Sequence, residues 1–194
     1  MKGRTQPPAV CAADANCLWY ASYIAFAAFV FAMIEIEIEG KHGWCENLPT
    51  PHIGSSKHSL TVYHVLAFCF ILTMTFSVFA ARPALWSAQE GAFVFSILLM
   101  FFALEDVYWF ILNPHYGITK INTAWWHVTC NNVPVIYIAL PTLAAVIAGF
   151  AGYLSQFGSS LLAMGGVTLG VAVISPLYHF IYNRIHSAED EVDE

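Results

Sequence analysis

Charge is what this sequence has least of. Only 10% of its 194 residues are Asp, Glu, Lys or Arg, against about 25% in an average soluble domain. Hydrophobic residues make up 58%, and the mean hydropathy is +0.62. A soluble fold of this size cannot bury so much apolar surface, so lipid must cover part of it. Basic residues are scarcer still, with 7 Lys and Arg against 13 Asp and Glu. No nucleic-acid partner is expected from that balance.

Other absences narrow the class. There is no CxxC pair among the 5 cysteines, which argues against a thiolate cluster or an iron–sulfur site. No ten-residue alternation of apolar and polar residues suggests a membrane barrel. No lysine falls inside an apolar run, so a retinal-type Schiff base has no candidate. The close histidine pairs of membrane desaturases and the HxxxH of ceramidase-like zinc hydrolases are also missing. Within the spans the sequence offers only the wider pairs His58-x5-His64 and His179-x6-His186.

What is present is five long apolar runs, about 15–38, 59–81, 91–112, 125–153 and 161–182. Each is near the roughly 20 residues that cross a bilayer as a helix. The first is longer than a signal-peptide core and reads as an uncleaved span. The expectation is an all-α integral membrane protein. It is one domain over residues 1–194, an up-and-down bundle of five transmembrane helices with sequence neighbours side by side. Its longest loop, 40–57, is rich in Gly, Pro and Ser and long enough to fold over the bundle as a cap. Residues 187–194 form an acidic tail, read as disordered or as a solvated face. Pro134 and Pro141 in the fourth run and Pro176 in the fifth predict kinks. Gly166 and Gly170 form a GxxxG pair suited to close helix packing, within the chain, in a homo-oligomer or with a membrane protein partner.

With alternating spans, all 8 histidines fall at one end of the bundle. His42 and His52 lie in the first loop, and His58 and His64 open the second span. His115 follows the third, His127 opens the fourth, and His179 and His186 close the fifth. Eleven of the acids share that end; only Asp14 and Glu90 do not. Lys and Arg divide four to three between the ends, which leaves the orientation open.

Glu105 and Asp106 are the sharpest case. They interrupt the apolar run FFALEDVYWFIL about 10 Å along the helix from Leu112. Ionisable groups inside a span are costly and mark functional sites by default. Helical spacing puts Glu35 and Glu39 on one face and Glu37 on nearly the opposite one. Inward stripes from five spans would build a polar pocket about one-third of the way into the membrane. Its expected metal ligands are Glu35, Glu39, His64, Glu105, Asp106, His127 and His179, with Glu105 and Asp106 also serving in catalysis.

Mixed carboxylates and imidazoles suit a divalent zinc, iron or manganese ion. Haem between His64, His127 and His179 is possible by residue type, but haem ligation needs no carboxylate cluster. The expectation is therefore a metalloenzyme, an oxidoreductase or hydrolase, acting among membrane lipids on a lipid-phase substrate such as a lipid or quinone. Two alternatives stand beside it. One is a non-enzymatic membrane subunit or assembly factor with a structural polar network. The other is a cation or proton transporter, weakened by far halves of the spans that are mostly apolar.

Overall fold

The computed structural model describes residues 14–39, 50–53, 60–81, 87–124, 127–131 and 133–190. Most of the expected cap, the side chains of His42 and His58, and tail residues 191–194 lie outside the described residues. Five α-helices carry the fold: α1 Asp14–Glu39, α2 Val62–Ala81, α3 Ala88–Leu112, α4 Ile136–Phe150 and α5 Leu154–Asp190. Two short strands, β1 Thr129–Cys130 and β2 Val133–Pro134, pair antiparallel just before α4. Among the described residues, four helices (α1, α2, α3 and α5) are long and apolar enough to cross a membrane. The fold is the expected all-α bundle.

α3 is the axis. Its apolar window is 56% buried, against 17% for α2. It starts at Ser87, whose hydroxyl accepts from the Glu90 N–H at 3.1 Å. That bond satisfies one of the free donors at a helix start. The helix stops at Asn113, whose side-chain oxygen accepts from the His115 N–H across Pro114. α1 lies along α3 and α5. Phe31 meets Phe101 and Glu35 meets Glu105, while Tyr108 meets Thr168 and the Ile111 carbonyl meets His179, so α1, α3 and α5 run parallel. The pair Tyr137–Asp106 brings the start of α4 to the end of α3, so the spans alternate as expected.

Sequence neighbours are not all close neighbours, however. α2 stands away from α1 and is tied to it by two long tyrosines. Tyr63 Oη donates to Glu35 Oε1 at 3.2 Å, and Tyr20 Oη donates to the Thr75 carbonyl at 2.9 Å. Phe68 of α2 stacks on Phe102 of α3 at 5.8 Å.

The fourth span differs from its expected course. Its helix begins at Ile136, eleven residues later than position 125. Before it lies the β-hairpin of Thr129–Cys130 and Val133–Pro134, with Asn131 at φ 54° in the turn. Pro134 sits in β2 and kinks no helix, while Pro141 and Pro176 do lie within helices. Gly152, at φ 84°, lets the chain turn from α4 into α5. α5 starts earlier and ends later than its apolar run, and residues 187–190 of the expected tail belong to it.

Candidate functional site

One cavity of about 730 Å³ lies between α1, α2, α3 and the hairpin. Six of the seven expected ligands line it: Glu35, Glu39, His64, Glu105, Asp106 and His127. Helix geometry explains the gathering. Glu35 and Glu39 are one turn apart on α1, while Glu105 and Asp106 face them from the parallel α3. His64 comes from the first turn of α2, and His127 from the chain before the hairpin. The rest of the wall is mostly apolar, with Phe31, Val65, Ala67, Phe68, Ile71 and Phe102 among it. Among the described residues, no Lys or Arg lines it.

The carboxyls of Glu35 and Glu105 are hydrogen bonded to each other. A carboxylate only accepts, so this bond requires a proton held between the two. Tyr63 donates a second bond to Glu35. Glu105 Oε1 is buried and, among the described residues, no hydroxyl or N–H donates to it. Such an atom bears an appreciable desolvation cost.

Beside this pair sits a closed network. Asp106 Oδ2 accepts from Tyr137 Oη and from His127 Nε2, the latter at 3.1 Å. His127 Nδ1 meets the Ile121 carbonyl. Both ring nitrogens therefore face acceptors, and the ring satisfies both as an imidazolium. Burial, the largest single influence, pushes the His127 pKa down. The Asp106 bond, the Ile121 carbonyl and the Asp106 charge together outweigh it and leave His127 above its ordinary range. His64 differs. Its Nδ1 accepts from the Thr61 N–H at 3.1 Å, so a neutral ring carries its proton on Nε2.

His179 is the expected ligand that does not belong. It lies outside the cavity wall, and its Nε2 donates to the Ile111 carbonyl at 3.1 Å, pinning α5 to the end of α3. His186 pairs with Glu37 at 3.2 Å and stacks on Tyr182 at 4.0 Å. His115 also packs against Tyr182. Of the described histidines, His64 and His127 thus line the cavity while His115, His179 and His186 gather along α5. Among the described residues, no three His, Cys, Asp or Glu side chains are gathered as a metal would need them. Cys69 and Cys130 are free thiols outside the wall. Gly166 and Gly170 have open space beside them, so they make no close packing within the chain.

Sequence reasoning missed Tyr63 and Tyr137. A tyrosine carries an apolar ring and a polar tip that seeks a partner when buried. Their positions beside His64 and in the apolar run after His127 were the available signal. No family model, no curated protein and no solved structure matches this chain.

Proposed function

We propose that this is a multipass integral membrane protein whose interfacial cavity takes a lipid-phase amphipathic molecule and exchanges a proton with it. The observation that carries this is the Glu35–Glu105 carboxyl pair in the wall of a largely apolar cavity. One proton shared by two carboxyls lets one act as acid and the other as base. The cavity volume falls in the roughly 300–1,000 Å³ range of small-molecule sites. Tyr63 orients Glu35, while the Asp106–His127–Tyr137 network fixes the wall on the hairpin side.

The test is native mass spectrometry of the protein released from its own membranes. A stoichiometric small amphiphile is expected. It should be lost in Ala67→Trp, which fills the cavity, and kept in Leu162→Trp on the exposed face of α5. Absence of any bound species that depends on Ala67 would sink the reading.

A divalent ion is the second reading, favoured by the donor types of Glu35, Glu39, His64, Glu105, Asp106 and His127. Zinc, iron or manganese would serve there as Lewis acid or redox centre. Binding would require these side chains to converge from their present positions. Elemental analysis decides: about one or two equivalents of metal, reduced in Glu105→Gln, would favour it over the metal-free pair.

A further inference from the structure

We propose that the amphiphile reaches the cavity sideways from the bilayer, past a hinged α2 whose polar end swings about its packed far end; this rests on the reading of the cavity as a ligand site. The two halves of α2 are held differently. In the second half, Ile71, Thr75 and Phe79 recur at four-residue spacing and are buried. Tyr20 Oη donates to the Thr75 carbonyl there. In the first half the same face runs on through Ala67 and His64, which line the cavity instead of meeting a packed helix. α2 is thus anchored at one end and stands off at the other. An element with few buried apolar contacts at one end opens there first.

Tyr63 and Phe68 reach across the cavity side of α2. Tyr63 Oη bonds Glu35 at 3.2 Å, and the Phe68 ring stacks on Phe102. They act as the latch. Ile53 and Leu60, and Pro51 and Val62, are joined by backbone hydrogen bonds, so residues 51–53 travel with the start of α2.

The open side of the cavity gives the direction of entry. Among the described residues that line it, the exposed ones are Leu60, Val65 and Phe68 on the α2 side and Val128, Val135 and Ile136 on the hairpin side. All six are apolar. Exposed apolar surface of this kind suits acyl chains rather than water. Half of the rim belongs to α2, so an outward swing of that end widens the mouth.

The experiment places nitroxide labels on p-acetylphenylalanine in the full chain in lipid nanodiscs and reads distances by double electron–electron resonance. One pair, at Leu66 and Leu177, joins α2 to α5 towards the polar end. The other, at Ser77 and Leu154, joins them at the far end; all four side chains are exposed. The polar-end pair should show a main distance and a minor longer one. Tyr63→Phe should raise the longer population about fivefold, the scale of one hydrogen bond, and leave the far-end pair unchanged. Glu35→Ala removes the same bond from the other side and should act alike, so the test does not depend on one variant folding. A single label at Ile136 should be relaxed more by dissolved oxygen than by a water-soluble nickel chelate.

A polar-end distribution that neither variant alters would overturn the hinge, and so would equal lengthening at both ends. A label at Ile136 relaxed mainly by nickel would put the mouth in water and overturn sideways entry. If any of these occurs while native mass spectrometry still finds an amphiphile that Ala67→Trp removes, the cavity reading stands without this proposal. If that amphiphile is absent, both fail.

Discussion

Glu35 and Glu37 are two residues apart on one helix, and their fates are opposite. Glu35 turns into the cavity, where it bonds a tyrosine and a second carboxyl. Glu37 turns towards α5, where His186 pairs with it and 53% of its side chain stays exposed. Both belong to the same polar end of the bundle. The α5 seam pairs Glu37 with His186 and His179 with the Ile111 carbonyl, and leaves the buried Tyr178 hydroxyl without a hydrogen-bond partner among the described residues. The cavity instead sets two carboxyls against each other in a largely apolar wall. The two regions share polarity and differ in that only one of them faces a cavity.

The strongest way to break that contrast is Asp106→Ala. It strips the acceptor from the His127 ring and from Tyr137 together. The His127 side chain is only 4% exposed, so its charge would be left buried and unpaired. The expected loss is about 3 kcal/mol, read by denaturant or thermal unfolding in detergent. Asp106→Asn should cost less.

Acidity sharpens the contrast next. His127 has a folded-state pKa above its unfolded one. The stability it contributes is therefore fully present below the ordinary imidazole pKa and is lost as pH rises through the raised folded value. The stability gap between wild type and His127→Gln should be widest in mild acid and close on the alkaline side. A gap that widens with rising pH would contradict the imidazolium.

Smaller effects follow. Tyr63→Phe removes one hydrogen bond to Glu35 and should cost about 1 kcal/mol, with a measurable change in amphiphile binding. At the seam, Glu37→Gln should change stability by about 0.5 kcal/mol or less, because exposed ion pairs contribute little. It should leave cavity binding untouched. A larger binding effect from Glu37 than from Tyr63 would erase the distinction drawn between the two regions.

Much of this was legible in the sequence, and the limit has a physical form. Alternating spans sort residues by depth, and depth alone put Glu35, His64, Glu105, Asp106 and His127 at one end. Helical phase then separated Glu35 from Glu37 correctly. His179 was misplaced because depth says nothing about which side of α3 a neighbouring helix occupies. α5 lies on the side away from the cavity, so its histidines serve the seam. The start of the fourth span was misread because the short polar hairpin lies between apolar flanks that read as one run. Tyr63 and Tyr137 escaped because rings in apolar runs look like lipid anchors until their hydroxyls are given positions.

The shortness of α4 has a consequence for the surrounding bilayer. Fifteen residues rise about 22 Å, short of a hydrocarbon layer of about 30 Å. Non-helical backbone is tolerated at membrane depth only where protein or water surrounds it. The hairpin that completes this span exposes Thr129, Cys130 and Asn131. For this helix to complete a fifth span, the lipid beside it would have to thin and the headgroup region dip inward. Such a dip brings the carboxyl pair nearer to water than its position along α3 suggests.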